Sequence, residues 1–277
     1  VTDAGRPNYP PLAEVLRLEP ADGSDVFRAP TPQGRQPRLF GGQLMAQSLI
    51  AAARTTRGQA PQSAHFYFLR AGRPDVELTL SVSRLSDAGR FANREVLGQQ
   101  GGDVMLAALT AFHSGDHSPD WQRTIDLGPA PHTLALEPPP HLVGAVVVDN
   151  YDLRVDDGGL AAPDWDLELW VRHRDPLADD PILHTAAVAY ATDFGIARAA
   201  RLHFATEDAF STTLSHSLWF HRPTRADEWF KLSAHHESAA DGRVLAQGAV
   251  HNQAGERVLS FAQEVLLRVP VRWGEED

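Results

Sequence analysis

The chain writes one pattern twice, and the two copies differ at a residue able to do acid–base chemistry. Leu39-Phe40-Gly41-Gly42-Gln43, an apolar run and Ser63-Ala64-His65-Phe66-Tyr67-Phe68-Leu69-Arg70 are echoed later. The echo is Thr192-Asp193-Phe194-Gly195-Ile196, an Ala-rich run and Ser215-His216-Ser217-Leu218-Trp219-Phe220-His221-Arg222. Phe68 lies 27 positions after Gly41, and Phe220 lies 27 positions after Asp193. A duplicated unit keeps the distance between its helix entry and its next strand, so this spacing predicts two copies of one α+β unit. The second copy carries the carboxylate of Asp193 where the first carries Gly41, which points to chemistry concentrated in one half. On local sequence alone Asp193 reads first as a helix cap, because Thr192-Asp193 precedes an apolar run.

Other reaction classes leave less trace. There is no Gly-x-Ser-x-Gly elbow, no Gly-x-x-x-x-Gly-Lys phosphate loop, no dinucleotide Gly-x-Gly-x-x-Gly after a strand and no His-Glu-x-x-His. Absence of cysteine removes disulfides, thiol nucleophiles and zinc–cysteine sites together. The 13 histidines are scattered. His235-His236-Glu237 and the pair His216 and His221 come nearest to ligand clusters, but neighbours on a strand point to opposite faces, so no metal is expected.

The elements that must position these residues follow from periodicity. Leu12 to Arg28 reads as a strand or two with a turn at Pro20-Ala21-Asp22-Gly23. Gly41 to about Ala53 predicts a buried helix, with Leu44, Met45, Leu49 and Ile50 on an Ala-rich background. Strands are expected over Ala64–Leu69, Val76–Leu85, Phe91–Gln99 and Val104–His113, the last two framing a Gly101-Gly102-Asp103 turn. A sheet in that order has to wrap its helix, which is too apolar to leave wet. Ser114 to Pro140, with Pro138-Pro139-Pro140, reads as a crossing linker. The second unit is expected to hold a strand at Leu167–His173, a helix from Pro181 towards Asp193 with a shorter helical run after it, and strands at Thr213–His221, Trp229–Glu237, Gly242–His251 and Val258–Arg268. The expected division is 1–114, 115–145 and 146–277.

At 277 residues and 43% apolar content the chain can bury a large core, and disorder is excluded. A net charge of −11 without a basic run argues against nucleic acid or an anionic membrane as partner. Lys231 is the sole lysine among many arginines. The first residues lack a basic start followed by an apolar run, no stretch approaches a membrane span, and Trp273-Gly274-Glu275-Glu276-Asp277 reads as a solvated acidic tail. A soluble cytoplasmic protein is the expectation.

Phe40-Gly41-Gly42-Gln43, His65-Phe66-Tyr67-Phe68-Leu69-Arg70, Ala191-Thr192-Asp193 and above all His216-Ser217-Leu218-Trp219-Phe220-His221-Arg222-Pro223 resemble the acyl-CoA thioesterase II (TesB-like) double hotdog family. The resemblance runs in order from about Leu12 to Arg268. It implies an α+β double hotdog, each repeat an antiparallel sheet wrapped around a central apolar helix, and hydrolysis of fatty acyl-CoA to free acid and coenzyme A without a cofactor. It further implies an Asp, a Thr and a Gln from the second repeat around one water: by position Asp193, Thr213 and Gln263. Higher assembly through sheet faces, as a homo-oligomer, is a further implication. A thioester suits such a set, since its carbonyl is electrophilic and its thiolate a fair leaving group, so a positioned water suffices.

Duller readings stand beside each role. Thr213 follows Ser211-Thr212 and reads as an ordinary strand threonine, while Gln263 in an apolar strand fits an exposed face. In the first copy Gly41 takes the place of Asp193, Gln62 or Ser63 that of Thr213, and Ala111 that of Gln263. Gly41 and Gly42 are expected to let the backbone approach the substrate closely, and Arg70, Arg90 and Arg94 are candidates for the phosphates of coenzyme A. Two rival functions remain: a double hotdog enoyl-CoA hydratase, which would need an Asp/His pair, and a non-catalytic acyl-thioester binder.

Overall fold

The computed structural model describes residues 9–33, 37–134, 149–155, 167–205 and 209–269. A single antiparallel sheet of 12 strands runs through it in the order β1-β2-β4-β5-β6-β3-β9-β12-β11-β10-β8-β7. The first half contributes α1 (Leu12–Val15), β1 (Glu19–Pro20), β2 (Val26–Ala29), α2 (Gly41–Ala53), β3 (Ala60–Phe68), β4 (Leu78–Ala88), β5 (Phe91–Gln100) and β6 (Asp103–His113). The second contributes β7 (Tyr151–Arg154), β8 (Leu167–His173), α3 (Pro181–Ala191), α4 (Ile196–Phe204), β9 (Phe210–Phe220), β10 (Phe230–Ala240), β11 (Arg243–Asn252) and β12 (Arg257–Arg268).

Most expected elements are present, but the entry is not the strand expected there. Leu12 and Val15 are both fully buried three residues apart, the spacing of a helical turn, and strand structure begins only at Glu19. Between Ser114 and Leu134 the chain forms one short 3-10 turn, Pro131–Thr133. The Pro138-Pro139-Pro140 run lies outside the described residues, and the division at 114 and 146 stays our reading of the chain.

The halves meet where β3 pairs with β9, His65 opposite Ser217 and Phe66 opposite His216. Above that seam α2 and α3 pack on each other. Gly42 to Ala52 of α2 are all buried: most of the side chains are apolar, and the buried Gln43 and Gln47 amides replace water by donating to the Pro30 carbonyl, Gln47 also to that of Val15. The α3 helix starts on Pro181 with Asp180 as N-cap, its carboxylate accepting from the Ile182 N–H at 3.0 Å. It ends at Thr192-Asp193, and Gly195, in the left-handed region at φ 73°, redirects the chain into α4.

That extra helix corrects the repeat arithmetic. The strands keep one offset, β4 with β10 and β5 with β11, whereas α2 and α3 are closer together in sequence by the length of the α4 insertion. Gly41 opens its helix and Asp193 follows the end of its own, so the two are not structural counterparts. Counted from the first residue of each helix, Asp193 corresponds to Ala53. Counted by strand pairing, Gln263 (opposite Ala246 and His216) corresponds to Thr110 (opposite Arg94 and Ala64), and Thr213 (opposite Val265) to Pro61 (opposite Phe112). The residues expected there, Gln62 or Ser63 and Ala111, miss: the bulge is common to both seams and cancels in the count, which gives Pro61, while the turn between His251 and Arg257 holds one residue more than that between Gln99 and Val104, which moves Ala111 to Thr110.

Close helix packing depends on the paired glycines. A methyl group on Gly42 would lie 2.3 Å from the Tyr190 backbone carbonyl, and one on Gly41 would lie 2.6 Å from Asp193 Oδ2. Since a carbonyl cannot swing away as a side chain can, Gly42→Ala is expected to lower unfolding free energy by about 1–3 kcal/mol, the usual cost of overpacking. Urea unfolding followed by far-UV circular dichroism measures it, and an unchanged midpoint would show that the helices can slide apart without loss.

Candidate active site

Each of the three polar residues named by the resemblance is delivered by a different element. Asp193 sits just past α3, at the turn into α4. Gln263 lies in β12 on the inward face with Phe261 and Val265, and is fully buried. Thr213 reaches the same side because β9 is bulged: Glu264 pairs with Ser215 but Val265 pairs with Thr213, leaving Leu214 as the extra residue. Strict alternation from inward-facing His216 would have aimed Thr213 outward, and the bulge reverses its parity.

The three side chains converge. Gln263 Nε2 donates to Asp193 Oδ1 at 2.9 Å and to Thr213 Oγ1 at 2.7 Å. Thr213 Oγ1 donates to Asp193 Oδ1 at 3.2 Å. The other carboxylate oxygen, Oδ2, accepts from the Gly42 N–H at 3.0 Å. The helix-cap reading of Asp193 is therefore right in kind and wrong in address, since the carboxylate caps α2 of the other repeat. The exposed-face reading of Gln263 fails, because the residue is buried and bonded.

Burial dominates the electrostatics. It pushes the Asp193 carboxyl up from 3.8 to about 7, against the pull of the Gly42 N–H, Thr213 and Gln263, in that order. A carboxylate of ordinary acidity would be a feeble proton acceptor, whereas one near 7 is matched to neutral solution. With Gln263 at 0% and Asp193 at 8% exposure, and Thr213 more open than either, the cluster faces the outside on its Asp193–Thr213 side. Behind it stand aromatic rings that keep the site dry: Phe40 and Tyr190 with centroids 5.0 Å apart, and Tyr151 and Phe194 at 5.2 Å.

Other candidates are placed elsewhere. The close approach at Gly41 and Gly42 is taken up by the protein itself, by Asp193 and the Tyr190 carbonyl. Arg94 is no phosphate ligand: its side chain is fully buried, bonded to the Thr55 hydroxyl and carbonyl and 2.7 Å from Asp87. Arg70 and Arg90 are exposed and pair with Asp103 and Asp116. His221 bonds the Ser260 hydroxyl, and His235 pairs with Glu237 on the surface. Among the described residues no group of three or more His, Asp or Glu could hold a metal ion, and no helix is long and apolar enough to cross a membrane.

Comparison with known proteins decides the family. A model of the acyl-CoA thioesterase C-terminal domain matches residues 107–267, and one of the N-terminal domain matches 29–113. The chain belongs to the acyl-CoA thioesterase family. Among solved structures it is similar to an acyl-CoA thioesterase II, TesB2, of Mycobacterium marinum, with TM-score 0.81 and 33% identity over 94% of this chain and 99% of that one. Among curated relatives it is similar to acyl-coenzyme A thioesterase 8 of Mus musculus, 29% identical over 93% of this chain and 89% of the relative. Acyl-CoA thioesterase 2 of Haemophilus influenzae is 25% identical over 93% and 96%. The double hotdog fold is that of these thioesterases.

In this thioesterase two further buried polar residues adjoin the cluster, His216 and Thr192. The sequence held one signal for His216, since alternation in β9 places it inward with Leu218. Thr192 carried none, because a helix end does not announce which way its side chains turn.

Because Asp193 holds its proton more tightly folded than unfolded, its contribution to stability is full below the unfolded value near pH 4 and is lost as pH rises through about 7. The stability of Asp193→Asn relative to the unsubstituted protein is therefore expected to improve from pH 5 upwards and to level off above about pH 7 in urea unfolding. A difference that stays constant over that range would show that the carboxyl ionises normally.

Proposed function

We propose that this thioesterase hydrolyses fatty acyl-CoA to free acid and coenzyme A, with Asp193 as general base to a water that Thr213 and Gln263 orient. The reading is carried by the meeting of Asp193, Thr213 and Gln263 at one buried point. Thioester hydrolysis needs little more. The water loses a proton to Asp193 as its oxygen bonds the carbonyl carbon, and the tetrahedral oxyanion collapses by breaking the C–S bond. The departing thiolate takes up the proton that Asp193 holds. A carboxyl near 7 can both accept and return that proton at neutral pH.

Positioning supplies the rest. Thr213 keeps a hydroxyl lone pair to accept from the water, and the Gln263 amide, whose two hydrogens bond Asp193 and Thr213, orients the water by fixing both of these groups in a site with few competing dipoles, where each hydrogen bond gains strength. The N-terminal turn of α2 at Gly41-Gly42 supplies partial positive charge beside Asp193, on the side from which the thioester carbonyl approaches in this reading. Acyl-CoA as substrate is supported by the family and by the names of the relatives, and the fatty acyl chain is our reading. The hydratase alternative would place a histidine against Asp193, whose hydrogen-bond partners among the described residues are a backbone amide, an alcohol and a carboxamide.

A free-thiol assay over a panel of acyl-CoAs tests the activity. Asp193→Asn is expected to lower kcat by about 10²–10⁴-fold, and kcat/KM of the unsubstituted enzyme should rise with pH and level off above about 7. Full turnover by Asp193→Ala would remove the assigned mechanism. Hydration of an enoyl-CoA without thiol release would favour the hydratase, and tight acyl-CoA binding without turnover the non-catalytic binder.

A further inference from the structure

Resting on the hydrolytic reading above and deepening it, we infer that His216 is a positioning residue. Its Nδ1–H holds the Gln263 carbonyl and its Nε2 accepts from the Thr192 hydroxyl, so that both Gln263 amide hydrogens stay aimed at Asp193 and Thr213.

The inference begins with polar atoms that need partners. Asp193 Oδ1 is an acceptor, so the end of the Gln263 amide that faces it is the NH2, and its two hydrogens are spent on Asp193 and Thr213. Gln263 Oε1 is then turned away, buried, with no partner of full hydrogen-bond geometry. His216 lies directly across the strand pair, its Cα opposite that of Gln263, and its Nδ1 is buried in the same condition. Side chains directly opposite on one face of a sheet stand close enough to interact, and the polar group that acts on the His216 ring is the Gln263 side chain.

Proton counting selects the tautomer. Burial pushes His216 down from 6.5 to about 3, so its ring is neutral and carries one N–H. The other ring nitrogen, Nε2, is 3.1 Å from Thr192 Oγ1, which also lies 2.7 Å from the Ala189 carbonyl. If the hydroxyl hydrogen went to Ala189, Nε2 would carry the ring proton and Nδ1 would set a lone pair against Gln263 Oε1. Two buried acceptors facing each other would each forfeit a hydrogen bond. If the hydroxyl hydrogen goes to Nε2, Nδ1–H satisfies Oε1 and every member of the chain Thr192–His216–Gln263–Asp193 has a partner. Phe261 stacks on the ring, centroids 5.6 Å apart and planes 22° from parallel, which fixes its orientation.

Two measurements decide it. Nitrogen-15 correlation spectra of the unsubstituted protein, with the His216 resonances identified by their loss in His216→Asn, are expected to show a neutral ring protonated at Nδ1. A ring protonated at Nε2 would overturn the inference, and this reading needs no substituted protein to be active. In the thiol-release assay His216→Phe should lower kcat by about 10–100-fold, the scale of misplacing a catalytic group by about an ångström, while KM changes by less than about twofold. His216→Asn, whose Nδ2 can stand in for Nδ1, should recover most of that loss, and in a Gln263→Ala background His216→Phe should cost almost nothing more. An equal loss in both backgrounds would overturn the role assigned to His216. Full activity in Asp193→Asn and Gln263→Ala would instead sink the hydrolytic reading and leave the tautomer result standing.

Discussion

One hydrogen bond ties the two halves of this thioesterase into a single site: the Gly42 N–H at the start of α2 donates to Asp193 at the end of α3. Both partners are buried, and Asp193 is held among the inner faces of β9 and β12 on one side and a first helical turn on the other. The carboxylate is an ion where ions are costly, and the three donors around it only partly offset the lost water. That imbalance raises its basicity, the property that the proposed general base requires. The glycines at 41 and 42, the bulge at Leu214 and the left-handed Gly195 all serve to bring backbone or side chain to within bonding distance of this one group.

Duplication made such a site affordable in only one of two places. Ala53, Pro61 and Thr110 stand where the second repeat has Asp193, Thr213 and Gln263, so none of these three positions carries an ionisable group in the first. Thr110 there faces Arg94, whose guanidinium is spread over the Thr55 hydroxyl and carbonyl and the Ser86 and Asn93 carbonyls and closed by Asp87. A buried, fully bonded arginine stiffens a sheet and offers nothing to a substrate. The second repeat instead has small Ala246 at the position of Arg94 and a neutral His216 beside its glutamine. One repeat thus carries a fully bonded arginine in its core, the other an ionisable group at the edge of its core.

Strands were legible because their evidence is local. Alternation in Leu78–Val82 and in Val258–Leu267, and the Ala/Leu background of Gly41–Ala53, follow from which face must be dry. The misreadings have local causes too. Leu12–Val15 is too short for periodicity to separate a turn of helix from a strand. The equal spacing from Gly41 to Phe68 and from Asp193 to Phe220 holds for the strands, but α4 had been inserted on the helix side, so equal numbers joined unlike positions.

The sequence by itself determined the duplicated sheet and the two buried helices, because hydrophobic period is a property of the chain read in order, whereas Asp193, Thr213 and Gln263 were singled out by the family resemblance and not by their local pattern. Which side chains meet was settled only in three dimensions. Antiparallel packing of α2 on α3 brings the start of one helix to the end of the other, a bulge turns Thr213 inward, and strand register sets His216 opposite Gln263. Register, bulge and helix crossing arise from contacts between segments remote in sequence, where a shift of one residue exchanges the buried face for the exposed one.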